Sequence, residues 1–182
     1  EMRNIYVSKA GERGVVNKDA LKAKAESCGR EHEGDYLLNP CGEAILRDTG
    51  GLCNLTEVIV RPGDDLPDLI RKVTNATILG TLQSTLTDSR YLRKVWSDNQ
   101  QEERLLGVSL TGIMDHKVLS GRVDREELEV WLEELKEVAR ATNKKYAKLL
   151  GIPASGQLTL VKPSGTVSQL CSTSSGIHPR YA

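Results

Sequence analysis

The chain has 182 residues, enough for one domain with a sizeable core. Its 25 Lys and Arg balance 25 Asp and Glu, which argues against a broad polyanion-binding face, so no nucleic-acid partner is expected. No run approaches the length of an apolar membrane span, and the first residues lack a basic-then-apolar leader, so no membrane partner and no signal peptide are expected.

Aromatic content is 4% and Phe is absent, so the core must come from Leu, Ile, Val and Ala. Cys28, Cys41, Cys53 and Cys171 form no Cys-x-x-Cys pair, and only three His are present. No metal site is expected from that set, and the compartment reads as reducing and cytoplasmic.

The first predicted element is a short strand over Asn4–Ser8, followed by a polar, Gly-containing turn. A chain that opens inside structure reads as a piece of a longer one. Asn17 caps a helix that runs to about Cys28 and ends at Gly29. Arg30 to Asp35 reads as a charged surface loop. Tyr36-Leu37-Leu38 is a short buried strand that delivers the chain into Asn39-Pro40-Cys41-Gly42-Glu43. There a thiol and a carboxylate stand two residues apart on a loop constrained by Pro and Gly.

Residues 52–60 are β-rich and alternate from Leu55 onward, which predicts a strand with Cys53 at its start. A loop thiol and a thiol on the following strand can share a pocket. Asp65 caps the next helix, with Pro67 in its first turn and an apolar period that continues past Gly80 as far as Leu86. Residues 87–104 read as a helix-loop connection. Leu105–Leu110 is a buried strand that turns at Thr111–Asp115 into a short helix.

Asp124 and Glu127 form an N-cap and third-position carboxylate pair that opens a long helix. Leu128, Trp131, Leu132, Leu135, Val138, Ala139 and Tyr146 lie on one face, and Gly151 and Pro153 stop it. Gln157–Lys162 is a strand, followed by Pro163-Ser164-Gly165-Thr166-Val167-Ser168 at a helix start. Strand, small-residue turn and helix N-terminus together suit an anion, because free amides and the helix dipole both favour negative charge. Ser175–Ala182 enters another apparent strand. Strands alternating with helices predict an α/β fold with mainly parallel strands, whose sites collect at strand carboxyl ends.

The residues alone leave two readings open. Cys41 and Cys53 could be small packing residues, Asn39 an Asx-turn and Glu43 a loop cap. That reading gives a non-catalytic phosphate- or nucleotide-binding α/β module. The other reading gives a redox site with Glu43 as general base.

The ordered motifs Ser8–Gly14 with Asn17, Asn39–Glu43, Cys53-Asn54-Leu55, Lys162–Ser168 and Ser174–Arg180 resemble the catalytic barrel of ribonucleotide reductases. Their details look most like the adenosylcobalamin-dependent (class II) ribonucleoside-triphosphate reductases, with a class I or diphosphate-using relative as the alternative. The resemblance implies that residues 1–182 are part of a ten-stranded α/β barrel with a central finger loop, tipped by Asn39–Glu43. It implies a transient thiyl radical on Cys41, a proton acceptor in Glu43 and a contact from Asn39 to the ribose hydroxyls. Cys53 would be one of two reducing thiols, the other lying before residue 1. Pro163, Ser164, Gly165, Thr166 and Val167 would bind the substrate phosphates. Implied partners are a ribonucleotide substrate, adenosylcobalamin as cofactor and a thioredoxin-like reductant. The sulfur of Cys41 is expected to be shielded inside the barrel, and the chain to be inactive by itself.

Overall fold

The structure is a computed structural model that describes residues 2–9 and 14–180. Part of the Ser8–Gly14 motif and the end of the last expected strand lie outside the described residues.

The first element is a helix, α1 (Met2–Ser8), where a strand was expected. None of its residues is buried, and the strands among the described residues pair with one another. An unpaired strand leaves its backbone groups to water, whereas a helix begins to satisfy them within itself. Next, α2 (Lys18–Glu26) starts where Asn17 Oδ1 accepts from Ala20 N at 3.2 Å. Cys28 lies just past it and is exposed.

β1 (Tyr36–Leu38) and β2 (Ile45–Arg47) form an antiparallel hairpin, with Leu38 opposite Ile45. The Asn39–Glu43 stretch is the hairpin's loop. β3 (Asn54–Ile59) follows, then α3 (Leu66–Gln83) and α4 (Lys94–Glu103). The chain returns in β4 (Leu106–Thr111), which pairs in parallel with β3 from Asn54–Leu106 to Ile59–Thr111. A one-turn 3-10 helix at Ile113–Asp115 leads on to α5 (Arg125–Leu150).

The core forms where α3 and α5 pack on this parallel pair. Val58 and Val60 from the β3 side, Val108 from β4, Leu69 and Val73 from α3, and Leu135 and Ala139 from α5 are buried together. Burying such side chains contributes about 1.5–3 kcal/mol each. Asp124 caps α5 by accepting from Glu126 N at 2.8 Å, and Gly151 ends it at φ +67°. Asn143 clamps α5 to its neighbours, donating to the hydroxyls of Thr81 and Ser155 at 3.0 Å each.

The expected strand at Gln157–Lys162 is a partial one. Leu106 N donates to Gln157 O at 2.9 Å, Val108 N to Leu158 O at 2.9 Å, and Leu160 N to Val108 O at 3.3 Å. The ladder stops because Lys162 N donates instead to the Ser109 hydroxyl, at 2.9 Å. The chain then enters α6 (Thr166–Leu170). Residues 177–180 carry no strand.

The result is a mixed α/β arrangement with two two-stranded sheets among the described residues. No helix among them is long and apolar enough to cross a membrane.

Candidate functional site

The hairpin loop is built by Asn39. Its Oδ1 accepts from Glu43 N at 3.1 Å and from Ala44 N at 3.0 Å. Gly42 N donates to Asn39 O at 2.9 Å, closing a turn, and Gly42 sits at φ +78°, a region glycine enters without strain. Asn39 is thus the Asx-type organiser of the loop, and it fixes where Cys41 and Glu43 emerge.

Glu43 points inward, with its side chain 3% exposed. Lys162 Nζ donates to its Oε1 at 2.8 Å and also reaches Cys41 Sγ at 3.6 Å. The other carboxylate oxygen, Oε2, is buried without a partner among the described residues. Burial pushes the Glu43 carboxyl up. Lys162, the Asn39 amide and the Glu43 backbone N–H outweigh it and hold the group below its usual range. Lys162 moves the opposite way, raised chiefly by its bond to Glu43, so the pair stays charged.

Cys53 lies just before β3 and is largely buried. Burial, then the Glu43 charge, pushes its thiol up to about 12, against the lowering effect of Arg30 and Lys162. Its sulfur sits over Gly107, where an added Cβ would stand 3.0 Å from it. Cys53 is therefore a neutral thiol close to Glu43. Cys41, by contrast, is exposed, against the expectation of a shielded sulfur. Of the described residues outside its loop, Lys162 is the one that reaches its sulfur, from the segment beside β4.

The Pro163–Val167 turn follows Lys162 directly. Ser164 is buried, and its hydroxyl accepts from Ser168 N at 3.0 Å, so this side chain caps the turn. The first amides of α6 have no partner within the helix by its geometry. Beside the turn, a groove of about 820 Å³ runs along the outer edge of β3, lined in part by Glu57, Arg61, Lys72, Ser109, Lys162 and Val167. Glu57 Oε1 within it is buried and without a partner among the described residues.

Lys162 thus links the thiol–carboxylate loop to the expected phosphate turn. It was part of a recognised motif but had no assigned role. Only its place immediately before the turn hinted at one. The expectation for Arg30 is corrected. It was read as part of a surface loop, yet it is 3% exposed, because its guanidinium pairs with the equally buried Glu103 at 2.8 Å. Arg30 also donates to Ile45 O on the hairpin at 2.9 Å and to Gln157 Oε1 at 3.1 Å. It therefore braces the hairpin against the segment that carries Lys162.

No family model matches the chain. Its sequence is 30% identical over 203 residues to the adenosylcobalamin-dependent ribonucleoside-triphosphate reductase of Lactobacillus helveticus, covering 94% of this chain and 26% of that protein. It is 31% identical over 208 residues to the enzyme of the same name from Lacticaseibacillus paracasei, covering 98% of this chain and 27% of that one. The chain is homologous to part of the adenosylcobalamin-dependent ribonucleoside-triphosphate reductases. A crystal structure of a B12-dependent (class II) ribonucleotide reductase is similar to it with a TM-score of 0.63 and 27% identity, over 82% of this chain and 23% of that one. The chain spans about a quarter of the length of the reductases it matches.

Proposed function

We propose that this chain supplies the thiyl-radical site of a reductase that converts ribonucleoside triphosphates to 2′-deoxyribonucleotides. The observation that carries the reading is the meeting of Cys41 and Glu43 on Lys162, directly before the Pro163–Val167 turn. A ribose laid against Cys41 then has a route for its phosphates to the Pro163–Val167 turn at the start of α6.

In this reading residues 1–182 are part of a catalytic barrel, with Asn39–Glu43 as its finger loop and further strands covering Cys41. Cys41 takes the 3′ hydrogen of the ribose as a thiyl radical and later returns it. Glu43 accepts the 3′-hydroxyl proton through Oε2, the oxygen that Lys162 leaves free. Asn39 is held by its loop bonds at the ribose side. Cys53 is one of two thiols that together give two electrons and become a disulfide as the 2′-hydroxyl leaves as water. Its high pKa keeps a hydrogen on sulfur until that step. A thioredoxin-like reductant then restores the dithiol, and the setting is cytoplasmic.

Adenosylcobalamin would supply the one-electron oxidation of the Cys41 thiol. No cluster of three or more His, Cys, Asp or Glu suited to a metal ion occurs among the described residues.

The test is ribonucleoside-triphosphate reduction by the full-length protein with a dithiol reductant, with and without adenosylcobalamin. Deoxyribonucleotide formed only with the cofactor supports the reading. No product under either condition refutes it and favours a phosphate-binding module with packing cysteines. Product without the cofactor assigns the protein to another reductase class.

A further inference from the structure

Lys162 is mounted more rigidly than a surface lysine. Its backbone N–H is held by the Ser109 hydroxyl, and Ser109 is itself 2% exposed. Its carbonyl is covered by Gly176, where an added Cβ would come 2.6 Å from Lys162 O at φ +52°. From that mount the ammonium reaches one oxygen of Glu43 and the sulfur of Cys41, and leaves the second carboxylate oxygen buried and unpartnered. A buried carboxylate with one oxygen clamped and one idle has the form of a base waiting for a donor.

Resting on the reductase reading above, we propose that Lys162 is a positioning residue for the reaction. It fixes Glu43 as the charged base, directs its free oxygen to the substrate hydroxyl and couples the finger loop to the phosphate-binding turn.

The charged and titratable groups around Glu43 come from four places. Lys162 faces it from the segment beside β4, and Cys41 shares that lysine on the same loop. Cys53, just before β3, lies close enough to feel its charge, and Arg30, just before the hairpin, acts on that thiol. Among these, only Lys162 bonds the carboxylate directly. Burial, which raises a carboxyl, is already the largest single influence on Glu43, and removing the Lys162 charge leaves only the Asn39 amide and the Glu43 backbone N–H opposing it. Phosphates bound at the turn would attract the same ammonium, so substrate binding and the state of the base are linked through one side chain.

The experiment uses the full-length protein with Lys162→Met and Lys162→Arg. With Lys162→Met, the acid limb of the kcat/KM profile moves to higher pH by about one unit or more. Lys162→Arg keeps the limb near its wild-type position. A second readout needs no turnover. The infrared carboxylate band of Glu43, identified by subtracting the Glu43→Gln spectrum, titrates at higher pH in Lys162→Met and at the wild-type position in Lys162→Arg. Lys162→Gln replaces the methionine variant if that one fails to fold. An acid limb and a carboxylate band unchanged by loss of the charge overturn the proposal. Wild-type protein that makes no deoxyribonucleotide would instead refute the reductase reading, and the infrared titration would still decide the role of Lys162.

Discussion

Glu103 is the residue whose loss should most disturb the mount of the candidate site. Its Oε1 accepts from Arg30 Nε at 2.8 Å, and Arg47 Nε approaches the same oxygen at 3.3 Å. The three side chains are 4%, 2% and 7% exposed respectively. Glu103→Ala leaves two buried guanidinium groups short of their shared counter-charge. Breaking a buried pair from one side costs about 3–5 kcal/mol. Here the lower end applies, because Arg30 keeps Ile45 O and Gln157 Oε1, while Arg47 keeps Asn99 and the Glu102 carboxylate. A loss of about 3 kcal/mol, with a urea slope of about 2 kcal/mol/M, lowers the unfolding midpoint by about 1.5 M. Urea unfolding followed by far-ultraviolet circular dichroism measures this. Because Arg30 ties the hairpin to the segment carrying Lys162, the variant should also label faster at Cys53. A midpoint shift below about 0.3 M would refute the view that this network carries a large share of the stability.

Gly107→Ala places a methyl 2.5 Å from Leu55 Cδ2, 2.8 Å from Leu160 Cδ2 and 3.0 Å from Cys53 Sγ. It should destabilise by about 1–3 kcal/mol in the same urea assay, toward the low end because the two leucine tips can turn. Cys53, with its thiol near 12, should react with iodoacetamide at a rate that climbs about tenfold per pH unit through pH 10, in a variant lacking the other three cysteines. Asp115, held near 2 first by the Arg180 guanidinium, contributes stability that is present above pH 4 and lost as pH falls through 2. Thermal unfolding of Asp115→Asn should therefore lose part of the wild-type fall over that window. Cys53→Ser in the full-length protein should stop multiple turnover with folding retained, and a loss of folding instead would mark it as a packing residue.

The elements that sequence made legible are those whose signals are local. Asn17, Asp65 and Asp124 cap the helices they were expected to cap. Leu128, Trp131, Leu135 and Val138 recur at helical spacing and pack against or within the core. Leu132 keeps that spacing but remains 44% exposed beside an apolar groove. The thiol–carboxylate loop was legible because Pro40 and Gly42 announce a turn. The hairpin around it was less so, since Ile45–Arg47 is only three residues long. What stayed hidden are the contacts made across distance in the chain. Lys162 meets Glu43 over 119 positions, and Arg30 meets Glu103 over 73. Periodicity and capping carry no trace of such pairs, so a buried Arg30 looked like part of a charged loop. α1 was misread because β-rich composition over five residues says nothing about whether a partner strand exists.

The central claim is that Cys41 carries the radical that starts reduction. The most direct measurement is deoxyribonucleotide formation by full-length Cys41→Ser, alongside Cys28→Ser as a control at an exposed thiol outside the site. The account predicts no product from Cys41→Ser with nucleotide binding retained, and wild-type rates from Cys28→Ser. Wild-type turnover by the Cys41→Ser protein would contradict it.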